Sequence, residues 1–211
     1  MQKKVIKYSL SIALLLFIGY HSIYFRKLDE VKPASASKGF DAKAYAGNFY
    51  NSKLLPQIGN AIELGKLVAL LKTQPDNTFK TYSHALGIGN IKYFLVQGEG
   101  TLSSITEDAV SVSLKNDTVK TDIKIATEFV YGNAIRDASG LVKLNDFTNT
   151  ADFNSISEEV NKIVRKDVLP QFKAKANPGD MIKFTGAIEL NQAHINLDSI
   201  EVVPVQLLIV K

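Results

Sequence analysis

The residues with the most chemical capacity lie in one polar stretch, residues 132–149, with the sequence GNAIRDASGLVKLNDFTN. An adjacent arginine and aspartate and several Asn and Asp side chains occur there, between a predicted strand and a predicted helix. Such groups, placed beside aromatic rings, can orient a hydroxyl-rich ligand such as a sugar. The candidate binding residues are Tyr131, Asn133, Arg136, Asp137, Asn145, Asp146, Phe147 and Asn149.

The Arg136–Asp137 pair has a structural interpretation beside the functional one. Arg136 would hold backbone carbonyls or a carboxylate where the third strand leaves the sheet, with Asp146 as a candidate partner. In the functional interpretation, these side chains form a solvated face that binds a small polar solute or a partner protein. The sequence leaves both open, and we favour the structural one.

No catalytic or metal-binding pattern accompanies this stretch in the sequence. Nucleophilic catalysis needs a Ser, Cys or Thr beside a base, and His21, His84 and His194 stand in no triad or metal-ligand spacing. The sequence has no cysteine, which excludes thiolate metal sites and lipid attachment through a cysteine. We therefore predict no enzyme activity, no cofactor and no metal.

The N-terminal segment has the features of a membrane anchor. Residues 8–25 contain no charged side chain and would extend about 27 Å as a helix, close to the thickness of a bilayer core. Three preceding lysines predict a cytoplasmic N-terminus and a globular domain in the periplasm. We predict a single-pass inner-membrane anchor in residues 1–27 and a tether in residues 28–39. A signal peptide cleaved near residues 34–36 is the alternative.

The basic character of the chain belongs to this N-terminal segment. Residues 1–38 contain seven Lys or Arg and two acidic residues, whereas the remainder contains 18 basic and 19 acidic residues. A near-neutral folded part has no charge balance for a polyanion, because nucleic-acid affinity depends on neutralising phosphates. We therefore predict no nucleic-acid partner.

Two hydrophobic periods divide the rest of the chain. Residues 40–90 have helical spacing, with a helix that begins at an Asn60 cap and ends near Lys72. A period of two from residue 91 onward predicts strands. A capping box at Ser155–Glu158 begins another helix, which Pro170 closes. The predicted strands are residues 93–102, 109–114, 123–131, 182–190 and 197–210, with an edge or bulge near Pro204.

This order of elements predicts a mostly β protein with helices, in the α+β class. Residues 91–211 would form an OB-like five-stranded barrel with a helix between strands three and four, and residues 40–90 a helical N-terminal extension. Glycines in strands one and four would allow the barrel to bend. A five-stranded α+β sandwich is the alternative.

Five segments, taken in order, resemble a known bacterial family, the predicted periplasmic lipoproteins called domain of unknown function 2291. The segments are GEG at 98–100, GNAIRDASG at 132–140, NDFTN at 145–149, SISEEVNKIV at 155–164 and VVPVQLLIV at 202–210. The resemblance covers roughly residues 40–210. It implies an exported, membrane-held protein with no assigned reaction, whose gene often neighbours ATP-driven sugar transporters. Because the lipid-bearing cysteine is missing, the helix at residues 8–25 would replace it as anchor.

Three function hypotheses follow. The preferred one is a membrane-anchored periplasmic accessory or binding module of a sugar transport system, with the inner membrane, transporter components or a small polar solute as partners. An OB-fold oligonucleotide-binding protein is disfavoured by the charge balance and by the outward topology. A cell-envelope hydrolase is disfavoured because neither a nucleophile nor a metal set is evident.

Overall fold

The structure is a computed structural model that describes residues 39–115 and 121–210, together with residues 6, 8, 12, 14, 15 and 17–20. The chain divides into two compact units, Met1–Ser35 and Ala36–Lys211. The described residues of the first unit are helical and exposed. Among all described residues, no helix is long and apolar enough to cross a membrane. The predicted anchor at residues 8–25 and the tether at 28–39 lie largely outside the described residues.

The second unit begins with a long helical segment that contains a wide turn. Helix α1 (Ala42–Asn48) continues through a π-helical turn (Phe49–Leu54) into α2 (Leu55–Gln57). The Leu55 N–H donates to the Tyr50 carbonyl five residues earlier. An ordinary turn would bring the ring of Pro56 against the carbonyl four residues before it. The wide turn therefore lets the helix pass through a proline.

Two short helices and two very short strands complete the helical extension. Strand β1 (Ile62–Glu63) precedes α3 (Leu64–Thr73), and α4 (Pro75–Tyr82) precedes β2 (Ser83–His84). The predicted cap at Asn60 is wrong, because the Glu63 carboxylate accepts the N–H groups of Gly65 and Lys66. Asn60 ends a 3-10 turn (Ile58–Asn60), and the chain is then extended through Ala61 and Ile62, where β1 pairs with the sheet.

The sheet closes into a ring of five strands. Its members are β3 (Ile91–Ile105), β4 (Ala109–Leu114), β5 (Asp122–Ala126), β6 (Met181–Asn191) and β7 (Ser199–Val210). The order is β3-β4-β5-β7-β6, and β6 pairs back to β3. Only the β5–β7 pair of this ring is parallel. With helices between the third and fourth strands, this is the predicted OB-like topology and not the sandwich.

Glycines allow the ring to curve where two backbones approach each other. A Cβ on Gly100 would lie 2.4 Å from the carbonyl oxygen of Ser113, and one on Gly186 would lie 2.6 Å from that of Val203. Gly186 also adjoins a register shift between β6 and β7, opposite Pro204. The predicted bulge near Pro204 is confirmed.

Strand β5 is shorter than predicted. It ends at Ala126 instead of Tyr131, and Thr127 bonds to the β3–β4 loop through the backbone of Glu107 and Asp108. Ile123, Ile125 and Thr127 are buried, but Phe129 and Tyr131 are exposed and Val130 is buried, so the alternation of the strand does not continue past Thr127. Gly132 then adopts a positive φ of 78°, which turns the chain into the next helix.

Five helical segments connect β5 to β6 in the described residues. They are α5 (Ala134–Ala138), a 3-10 turn (Leu144–Asp146), α6 (Thr150–Ile163), a π-helical turn (Val164–Val168) and α7 (Leu169–Lys173). The cap of α6 is Asn149, so the predicted start at Ser155 is wrong. Pro170 does not close the helix, because the π turn accommodates it as the earlier π turn accommodates Pro56.

The core fills the ring and the space beneath the helices. Strand side chains such as Phe94, Ile125 and Ile188 are completely buried, as are Ile156 and Val160 of α6. These α6 residues are four apart, so one helical face covers the sheet. A neighbouring face of the same helix carries polar groups.

The arginine cleft as a candidate ligand site

Arg136 is a buried cation that the fold holds through two of its three guanidinium nitrogens. It is 3% exposed, and its Nε donates to Asp137 Oδ1 at 2.6 Å. Its Nη1 donates to the carbonyl of Phe153 at 2.9 Å and to Asn154 Oδ1 at 3.4 Å. The guanidinium carbon lies 3.6 Å from the ring centroid of Phe153. These contacts fix α5 against the first turns of α6.

The second oxygen of Asp137 is also occupied. Asn133 donates to Asp137 Oδ2 and, at 3.2 Å, to the hydroxyl of Tyr93 on β3. Burial, the largest contribution, raises the pKa of Tyr93 above its usual value. The Asp137 carboxylate therefore has a partner at each oxygen, and it holds Arg136 in place.

The other half of the predicted site does not join this cluster. Asp146 and Asn145 are exposed, and the carboxylate partner of Arg136 is Asp137, so the predicted Asp146 partnership is wrong. Phe147 packs within an aromatic cluster against Phe40, Tyr45 and Phe153. Asn149 caps α6 by accepting the Asp152 N–H at 2.8 Å.

Three of the predicted residues line one cleft of about 560 Å³, which we call the arginine cleft. Tyr131, Asn133 and Arg136 form one side. The other side is a face of α6 and the π turn, which sequence analysis did not identify. The full lining is Tyr131, Gly132, Asn133, Arg136, Asn154, Ser157, Glu158, Asn161 and Arg165.

The second arginine of the cleft differs from the first. Arg165 lies in the π turn, is half-buried, and donates through Nη1 to the carbonyl of Val130. Its guanidinium carbon is 4.7 Å from the ring centroid of Tyr131. No carboxylate of the described residues lies within ion-pair distance of it. Arg165 is thus positioned by a carbonyl and a ring, and its charge is not neutralised.

Ser157 supplies the most informative group in the cleft. It is 7% exposed, and its hydroxyl is the only buried side-chain nitrogen or oxygen without a hydrogen-bond partner among the described residues. Asn161, one turn later, donates to the carbonyl of Gly132 at 2.7 Å. This bond ties α6 to the segment that carries Tyr131.

The family to which the chain belongs follows from its match to a family model. Residues 13–208 match the model of the predicted periplasmic lipoproteins, domain of unknown function 2291. The chain belongs to this family. The family has no assigned function. A comparison with curated proteins gives no match.

A solved structure supports the fold of this family member. An OB-fold protein from Thermotoga maritima superposes with a TM-score of 0.72 at 27% sequence identity, covering 82% of this chain and 100% of that chain. The similarity confirms the OB-like fold. It says nothing about a ligand, because one fold carries many functions.

Other features of this family member fit a binding role less well. A larger groove of about 800 Å³ lies between α7 and the end of β7, lined by apolar groups such as Leu55, Val168 and Phe172. It holds no unpartnered buried polar group among the described residues. Burial lowers the pKa of His84, which faces Gly140. Within the described residues, no group of His, Cys, Asp or Glu could hold a metal ion.

A sequence signal for the missed residues does exist. Asn154, Ser157, Glu158, Asn161 and Arg165 have helical spacing of 0, 3, 4, 7 and 11 residues, so they share one face. The apolar residues of the same helix predicted only that it packs on the core. A second stripe of polar residues, some of them small, indicates a helix face that lines a cleft.

Proposed function

We propose that this protein is a membrane-held periplasmic binding module that serves a transport system, and that the arginine cleft binds a small hydroxyl-rich solute. The family description supports the compartment. The cleft supplies hydrogen-bond donors from two arginines, acceptors from asparagines, and an aromatic ring, Tyr131. Small-molecule sites combine such polar groups with apolar walls.

The observation that carries this proposal is the hydroxyl of Ser157. A buried hydroxyl without a partner costs about 1–3 kcal/mol. Its residue lines a cleft that also contains Arg136, whose Nη2 has no hydrogen-bond partner among the described residues. A ligand hydroxyl between these two groups satisfies both.

The cleft is tested by ligand-induced stabilisation of the full-length protein in detergent. A panel of neutral sugars, polyols and hydroxy acids is screened by thermal shift against the parent and Ser157→Ala. We expect a solute that stabilises the parent to bind the variant about tenfold more weakly, because one hydrogen bond is lost. Ser155→Ala is the matched control, since Ser155 is on the same helix and does not line the cleft. Equal binding by all three proteins places the site elsewhere.

The membrane attachment that we propose is the uncharged segment at residues 8–25, with the N-terminus in the cytoplasm. The charge-free run behind three lysines supports it. The protein is expected in the inner-membrane fraction, with residues 40–211 digestible by protease added to spheroplasts. A protected domain, or a soluble chain that begins near Ser37, contradicts this attachment.

The association with a transporter is tested by purification from membranes in mild detergent. We expect subunits of an ATP-driven solute transporter to co-purify with the full-length protein.

The nucleic-acid alternative predicts salt-sensitive binding of single-stranded DNA, and we expect none at about 150 mM salt because residues 39–211 are nearly neutral. Micromolar affinity there would favour the alternative.

A further inference from the structure

The two ends of the arginine cleft differ in charge. Arg165 has no ion-pair partner among the described residues, whereas the charge of Arg136 is offset by Asp137. Glu158 lies at the other end and is exposed. Seven residues separate Glu158 from Arg165 along the helix, which is about 10 Å. One end is therefore cationic and the other is acidic. Asn161 lies between them, and Ser157 lies beside Glu158.

We propose that the ligand is a small hydroxy acid, whose carboxylate pairs with Arg165 and whose hydroxyl groups bind along the cleft to Ser157 and Arg136. This inference rests on the proposed function, since it names the ligand class of the same site. Such a ligand has one carboxylate and several hydroxyl groups, a composition typical of sugar acids.

The geometry of Arg165 favours a carboxylate. Its Nη1 is engaged by the carbonyl of Val130, and neither Nε nor Nη2 has a partner among the described residues. The edge formed by these two nitrogens matches the two oxygens of a carboxylate with parallel hydrogen bonds. The ring of Tyr131, 4.7 Å from the guanidinium carbon, and the Val130 carbonyl restrain the side chain, so less of its freedom is lost when the ligand binds.

The remaining charges exclude a more highly charged ligand. A dianion such as a phosphate ester would need a second free cation, but Arg136 is already paired with Asp137 at 2.6 Å. Glu158 would repel a second anionic group at the far end. A carboxylate at Arg165 and neutral hydroxyls elsewhere fit the charge pattern.

Calorimetric titration of the full-length protein in detergent tests this with a matched pair of probes, gluconate and sorbitol. Both are six-carbon polyhydroxy chains, and only gluconate has a carboxylate. We expect gluconate to bind at least tenfold more tightly than sorbitol. Arg165→Gln should abolish this difference. Lys166→Gln is the control, because it removes one charge from an exposed neighbour outside the cleft and should keep the preference.

Each other result overturns the inference. Equal affinity for the two probes, no gluconate binding at millimolar concentration, or equal losses in Arg165→Gln and Lys166→Gln all contradict a carboxylate at Arg165. If a neutral sugar binds more weakly to Ser157→Ala but equally well to Arg165→Gln, the proposed function stands and the ligand class is refuted. Melting curves of each variant show that it is folded.

Discussion

Two arginines line the same cleft, and they differ in almost every other respect. Arg136 lies in α5, a five-residue helix that is completely buried, and its charge is matched by the adjacent Asp137. Arg165 lies in a π turn, is half-buried, and is held by a carbonyl and a ring. The comparison teaches that the fold neutralises the charge of one arginine and leaves the charge of the other available to a ligand.

The backbone explains part of this difference. Because all five residues of α5 are buried, a charge there requires a neutralising partner. A π turn places its side chains out of register with the helix on either side, and such turns often occur at functional sites. The turn that accommodates Pro170 also places Arg165 beside Tyr131.

The largest expected effect is that of Arg136→Ala. The change removes the donor to Asp137 Oδ1 and to the carbonyl of Phe153 and leaves the Asp137 carboxylate buried without a countercharge, so we expect a loss of about 2–4 kcal/mol of unfolding free energy. Urea unfolding measures it. Arg165→Ala is the matched control and should cost only about 1 kcal/mol, because it removes the donor to the carbonyl of Val130 but leaves no buried carboxylate unpaired. A variant Arg136→Ala that unfolds like the parent would show that the buried pair is not structural.

Tyr50 is a second buried polar residue, and measurements at alkaline pH test whether its hydroxyl is buried. Its hydroxyl donates to the carbonyl of Val205 at 2.6 Å, at the bulge of β7. Burial, and then the nearby Asp167 carboxylate, raise the pKa of Tyr50 from 10.0 to about 12. The neutral form is favoured in the folded state, so its stabilisation is complete below pH 10 and is lost as the pH rises through 12.

We expect a loss of roughly 2 kcal/mol across this window. Unfolding free energies measured between pH 9 and 12 show it as a steeper decline in the parent than in Tyr50→Phe. The phenylalanine variant has no group to ionise, although it loses the hydrogen bond at every pH. Parallel declines in the two proteins would contradict an enclosed hydroxyl.

Most of the fold is predictable from the sequence because the ring strands alternate strongly. Val110 and Val112 point inward, and the strand that holds them has the predicted bounds. The predictions that are wrong concern the ends of strands and helices, where tertiary contacts override the preferences of the local sequence. The third strand stops at Ala126 because Thr127 bonds to another loop, and Pro170 does not end its helix because a π turn absorbs it.

The site was predictable only in part. Adjacent polar residues in one segment indicate Arg136 and Asn133, but sequence proximity also brought in Asn145 and Phe147, which lie outside the cleft. Arg165 is distant in sequence from that segment, and only the packing of α6 beside it places the two together. A polar stripe on a helix can be identified as part of a binding site only when the residues on the other side of the cleft are known.

A smaller effect is expected for Asn149→Ala. Asn149 caps α6 through its side-chain oxygen, and the loss of such a cap costs about 1 kcal/mol. Solute binding should be unchanged because Asn149 does not line the cleft. Chemical denaturation and the thermal-shift panel measure the two quantities on the same preparation. A loss of binding without a loss of stability would return Asn149 to the ligand site.

The smallest effect separates Asp146, the predicted partner of Arg136, from Asp137, the partner that the structure shows. Asp146 is exposed, and it only adds, after burial, to the raised pKa of Tyr45. Asp146→Asn should therefore change the unfolding free energy by less than about 0.5 kcal/mol. In a double-mutant cycle with Arg136→Ala, the two changes should add to within about 0.3–0.5 kcal/mol, as for independent sites. The same cycle with Asp137→Asn should show strong coupling, since each single variant leaves the other member of the buried ion pair without its partner. Coupling of Arg136 to Asp146 instead would mean that the arginine reaches toward the surface, and the contrast between the two arginines would then fail.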